Sequence, residues 1–109
     1  MEKENSVFIN HILDSINAIE DFSKGISQGE LKTNRLIQSA IVREIEIIGE
    51  AVKNISESFK TNHAEIPWRE IVGTRDKMIH HYFGIDLTIL WNIIKLDLPL
   101  LKKQILKIK

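Results

Sequence analysis

The stretch Glu30-LKTNRLIQSAIVREIEIIGEAVKNISES-Phe59 decides the fold. Ile37, Ile41, Ile45, Ile48, Val52, Ile55 and Phe59 recur at steps of three and four residues, the spacing of one continuous helical face. The reading is a long helix from about Glu30 to Phe59. Ala40, Gly49 and Ala51 are small residues at which another helix can approach closely. Gly49 costs about 1 kcal/mol against alanine inside a helix, which implies a packing reason for it.

Upstream, a second helix spans about Ser6 to Ser23. Ile9, Ile12, Ile16 and Ile19 make its stripe, widened by Phe8, Leu13 and Phe22. Lys24 to Gly29 is a polar, glycine-containing turn that stops it. Downstream, residues 61–66 form a polar linker. Pro67 suits the first turn of a helix reaching about Phe83, because its missing N–H is not needed there. Gly84 offers a stop and Asp86 a cap for a last helix, whose apolar face is Leu87, Leu90, Trp91, Ile94 and Leu98. Pro99 must kink that helix or start a new turn, with Asp97 as a local cap. The expected architecture is all-α: an up-and-down bundle of four to five helices in one domain, residues 1–109.

Composition narrows the function classes. Fifteen basic residues balance fifteen acidic ones among the 109, which argues against attachment to nucleic acid by bulk charge. A local basic cleft is still compatible. Cysteine is absent, so there is no disulfide, thiol nucleophile or thiolate metal site. No signal pattern opens the chain, and no apolar run reaches the ~18 residues of a membrane span. A cytoplasmic location is expected.

The third long helix carries the densest chemistry: Arg75, His80, His81 and Tyr82 lie within eight residues. Arginine offers a permanently charged fork for phosphate oxygens, and histidine moves protons near neutrality. Such a set can cleave RNA without a metal. A base takes the ribose 2′-hydroxyl proton, a cation stabilises the phosphoryl oxygens, and an acid protonates the leaving oxygen. At about 100° per residue, Arg75 and Tyr82 fall ~20° apart, but Arg75 and His80 fall ~140° apart. A bent arginine, a loosened helix end or a second copy must bring them together. A two-fold dimer with the two helices facing a shared cleft fits best.

Spacing alone also admits plainer roles. Arg75 can pair with Glu70 or Glu65, His80 can serve as a polar cap, and Tyr82 can be a core aromatic. Adjacent histidines such as His80 and His81 diverge on a helix and make a poor metal site. His81 reads as idle. His11 and His63 read as surface residues, and the lysines at 102, 103, 107 and 109 as partners of a helix C-terminus.

Arg75-x4-His80-x-Tyr82 resembles the signature of HEPN toxins. Glu46-Ile-Ile-Gly-Glu50-Ala51, Ile66-Pro-Trp68-Arg-Glu-Ile71-Val-Gly73, Asp86-Leu-x3-Leu-Trp91 and Asp97-Leu-Pro99-x-Leu101 are similar to the HepT-like family, in order and spacing, over nearly the whole chain. The resemblance implies a metal-independent endoribonuclease toxin of a type VII toxin–antitoxin pair. It implies a homodimer with its sites between protomers and no cofactor. It also implies an MntA-type nucleotidyltransferase antitoxin that silences the nuclease by transferring AMP onto the motif tyrosine. Carried over, Arg75 and His80 are catalytic, Asp76 supports them and Tyr82 accepts AMP. The competing readings are a non-catalytic helical module that docks a nucleotidyltransferase, and a purely structural helical dimer.

Overall fold

A computed structural model describes residues 2–80 and 86–109, with residues 79 and 80 described by their backbone alone. Among these residues the chain is all helical. The elements are α1 (Lys3–Ser23), α2 (Gln28–Thr33), α3 (Arg35–Asn54), α4 (Glu57–Asn62), α5 (Trp68–His80), α6 (Leu87–Asn92), a π-helical turn (Ile93–Asp97) and α7 (Leu98–Ile108). α6, the π turn and α7 run on from one another, so the bundle has four long rods with α2 and α4 as short connectors. α3 is the central element: α1 and α5 both pack against it, and α7 packs against α1.

The expected stripes form the core. Ile9, Ile12, Leu13, Ile16 and Ile19 from α1 are buried against Ile41, Ile45, Ile48 and Val52 from α3. Leu90, Ile93, Ile94, Leu98, Leu101 and Ile105 close the other side. Phe22 departs from the expectation: it lies just past the buried stripe and is 40% exposed. The turn after α1 is set by Gly25, whose φ of 76° lies in the left-handed region where a side chain would be strained.

The long helix expected from Glu30 to Phe59 is three helices. Hydrophobic period survives the interruptions, because Ile55 is buried although it caps α3. Local polar bonds make the breaks. α2 starts earlier, at Gln28, with a capping box in which Glu30 N donates to Ser27 Oγ and Ser27 N donates to Glu30 Oε1. At the first break, Asn34 Oδ1 accepts from Ile37 N at 3.0 Å, and Gln38 Nε2 donates to the carbonyl of Leu31 at 2.7 Å. At the second, Ser56 Oγ accepts from Phe59 N at 3.3 Å, opening α4. Asn5, buried in the first turn of α1, fixes that second break. Its Oδ1 accepts from Ser56 N at 3.0 Å, and its Nδ2 donates to Ser56 Oγ at 3.1 Å. Asparagine and serine compete for backbone groups in just this way.

Pro67 lies one residue before α5, and its carbonyl accepts from Ile71 N at 3.0 Å. The indole of Trp68 is buried and donates to the carbonyl of His63 at 3.0 Å. Phe59 stands between the Trp68 and His63 rings, with centroids 6.3 and 4.5 Å away. His63 is therefore half-buried packing rather than the surface residue expected, whereas His11 is exposed. At the last rod Asp86 caps as expected, accepting from Thr88 N and Ile89 N. Asp97 does not: its backbone is helical and its side chain makes no cap bond. Pro99 cannot donate to the carbonyl of Lys95, so the chain widens into the π turn just before it, with Leu98 N bonded to Ile93 O. The rod continues without a new start.

Candidate active site between the third and fifth helices

The position at which α5 meets α3 is set by what is missing from Gly49. A Cβ built there would fall inside the contact radius of Cβ and Cγ of Arg75, with Cδ at 3.0 Å. The aliphatic part of the arginine therefore occupies the space an alanine would fill. Gly49 has the packing reason its helix-interior cost implied, and the reason is the candidate catalytic arginine.

With its stem on α3, Arg75 turns its guanidinium to two carboxylates. Nη1 donates to Asp76 Oδ1 at 2.9 Å, and Nη2 makes a short ion pair with Glu50 Oε1. Lys53 Nζ stands 3.9 Å from Asp76 Oδ1. Arg75 Nε is buried without a hydrogen-bond partner among the described residues, which hold the group through its two terminal nitrogens. The Arg75 side chain is only 16% exposed, against 54% for Glu50 and 44% for Asp76. The hydrogen bond to Asp76 pushes the Arg75 guanidinium further up, opposed by burial and reinforced by the charges of Glu50, Asp76 and Glu46. The result is a fixed cation whose outer surroundings are open to solvent, the chemistry that binds a phosphoryl oxygen.

Of the candidate residues, Arg75 and Asp76 are brought together. The plainer pairing with Glu70 or Glu65 does not occur: beside Asp76 the partner is Glu50, which no spacing rule reaches because it lies on another helix. Its sequence signals were adjacency to Gly49 and a place in the family-like stretch Glu46-Ile-Ile-Gly-Glu50-Ala51. The backbone of α5 is helical through His80, so the register still places positions 75 and 80 about 140° apart. The side chain of His80, and residues His81, Tyr82 and Gly84 altogether, lie outside the described residues. Among those described, no three His, Asp or Glu gather as a metal site would require, and no helix is long and apolar enough to cross a membrane.

A cavity of about 250 Å³ lies between α3, α5 and α7, lined largely by apolar side chains including Ile45, Ile48, Ile71, Leu98 and Leu101. Arg75 is not among the residues that line it.

The profile of the HepT-like family, described as "Ribonuclease HepT-like", matches residues 12–108. The chain belongs to the HepT-like ribonucleases of the HEPN superfamily. It is 41% identical over 109 residues to a Thermococcus cleftensis protein named "Probable ribonuclease HepT", covering 100% of this chain and 99% of that one. It is 40% identical over 104 residues to a "Putative RNase" of Methanocaldococcus jannaschii, covering 95% of each. A second M. jannaschii protein, "Gamma-glutamylcyclotransferase and putative RNase", is 44% identical over 108 residues. That match takes in 99% of this chain but 49% of the longer relative, so the HepT-like unit recurs there as about half of a larger protein. No solved structure matches the chain.

Proposed function

We propose that this HepT-like ribonuclease is a metal-independent endoribonuclease, the toxin of a type VII toxin–antitoxin pair acting in the cytoplasm. The observation that supports it best is the Arg75 guanidinium, seated on Gly49 and held by Asp76 and Glu50. In this reading a base removes the 2′-hydroxyl proton, and the 2′-oxygen attacks the adjacent phosphorus. The bond to the 5′-oxygen breaks, leaving a 2′,3′-cyclic phosphate and a 5′-hydroxyl. Arg75 stabilises charge on the non-bridging oxygens, Asp76 orients it, and His80 transfers a proton. The need for a 2′-hydroxyl selects RNA over DNA.

Residues 1–109 act as one HEPN helical domain, paired as a two-fold homodimer. The ~140° between positions 75 and 80 favours a cleft in which two copies of α5 face each other. The antitoxin is an MntA-type nucleotidyltransferase. It attaches the α-phosphate of ATP to the Tyr82 oxygen, with pyrophosphate leaving. The resulting anionic phosphodiester is a ligand for the Arg75 fork, and with the adenine it would block RNA.

The test is cleavage of RNA by the purified protein in EDTA. Wild type cuts; a folded His80→Ala or Arg75→Ala dimer does not. Retained cleavage by either variant would remove that residue from the catalytic role. The second reading is a non-catalytic module that docks a nucleotidyltransferase, with which the zero net charge is compatible. Co-purification with the transferase and no cleavage at any concentration would establish it instead.

A further inference from the structure

We propose that Glu50 is a positioning residue of this ribonuclease, acting on the phosphate contact through Arg75 from a different helix. The inference rests on the reading of Arg75 as the phosphate-stabilising cation.

Three observations carry it. Glu50 Oε1 takes Nη2 of Arg75, while Asp76 Oδ1 takes Nη1. The two carboxylates thus hold different terminal nitrogens, and they come from α3 and α5 respectively. Asp76 adjoins Arg75 in the chain and moves with it, and its own tie to α3 among the described residues is the 3.9 Å ion pair with Lys53, so it orients the fork but holds it loosely to that helix; a direct bond from α3 must fix it. Glu50 makes that bond. Second, Arg75 Nε is buried and unpaired among the described residues, so none of them adds a third bond to fix the plane of the guanidinium. Losing the Nη2 partner leaves the fork free to rotate about the bond to Nη1. Third, Glu50 follows Gly49 directly. The glycine admits the stem and the next residue secures the head, so one dipeptide on α3 provides both halves of the seat.

Glu50 does more than neutralise buried charge. It is about half exposed, and its carboxylate stands at the solvent side of the cation. A residue needed only for folding would not have to be there, because a partly exposed ion pair contributes little stability. Orientation matters far more: a ~1 Å misplacement of a catalytic group costs up to about 100-fold in rate.

The experiment compares kcat, KM and thermal midpoint for wild type, Glu50→Ala, Glu50→Gln and Arg75→Ala, using one fluorogenic RNA oligonucleotide. Arg75→Ala comes first: if it still cleaves, the reading of the site fails and Glu50 has nothing to position. If it is inactive, the Glu50 variants decide the proposal alone. Glu50→Ala is expected to lower kcat by about 10- to 100-fold, with KM and thermal midpoint nearly unchanged. Glu50→Gln keeps a carbonyl oxygen that can accept from Nη2, so it should restore a large part of kcat. Should Glu50→Ala fail to fold, the kcat of folded Glu50→Gln must fall between those of wild type and Arg75→Ala. Wild-type kcat in both folded Glu50 variants overturns the proposal, as does a loss that tracks only the fraction of folded protein.

Discussion

The stem of Arg75 rests on the bare Cα of Gly49, so a residue on α3 without a side chain determines where a charged residue on α5 can lie. Contact begins at Cβ and Cγ of the arginine, close to its backbone, where little can yield. Gly49→Ala should therefore push α5 outward or drive the guanidinium off its two carboxylates. Overpacking costs about 1–3 kcal/mol, and the gain in helix propensity returns about 1 kcal/mol of it. The expected outcome is a modest drop in the denaturation midpoint with a much larger loss of RNA cleavage. Unchanged cleavage in Gly49→Ala would mean that the seat does not serve the reaction.

Asp76 holds the second terminal nitrogen of Arg75. Asp76→Ala should reduce cleavage by about 10- to 100-fold, in line with misorientation of a catalytic group. Asp76→Asn, which keeps an acceptor oxygen, should lose less. The comparison is read from initial rates on one RNA. Equal rates for Asp76→Ala and wild type would remove Asp76 from the supporting role.

Modification is tested by mass. Co-expression with an MntA-type nucleotidyltransferase should add AMP to the wild-type chain and none to Tyr82→Phe. Wild type recovered from that co-expression should no longer cut RNA, and Tyr82→Phe should still cut. An AMP adduct on Tyr82→Phe would place the acceptor elsewhere.

Asn5 offers the opposite signature, stability without chemistry. It is 3% exposed and makes two hydrogen bonds to Ser56, joining the start of α1 to the break between α3 and α4. Asn5→Ala removes both bonds and takes the partner from the partly buried Ser56 N–H, at a cost of about 1–2 kcal/mol. Urea denaturation should show the loss, while cleavage per folded molecule stays at the wild-type level. A selective fall in kcat would show that the α3–α4 junction reaches the site.

Most of the fold was legible, and the misreadings share one cause. Ile9 through Ile19 and Ile41 through Ile55 were placed in the core by period alone, and they are buried. Hydrophobic period reports a face, however, and a face can continue across a break. Asn34 and Ser56 each interrupt the helix with side-chain bonds while Ile37 and Ile55 keep their registers, so three helices read as one. Asp97 was misjudged for a related reason. A cap was expected because Pro99 follows, but the chain absorbed the proline with a π turn two residues upstream of it.

Sequence by itself determined the helical class, the buried stripes, the cap at Asp86 and the family, because these depend on neighbours within a few turns or on matched motifs in order. It also marked Gly49 as costly and Arg75 as reactive. Only the tertiary structure joined them. Spacing offered Glu70 or Glu65, within reach along the chain, as plain partners for Arg75; beside Asp76 its partner is Glu50, twenty-five residues away on the helix that α5 packs against. Ion pairing depends on distance through space, and that distance exists only once α5 has docked on the gap that Gly49 leaves in α3.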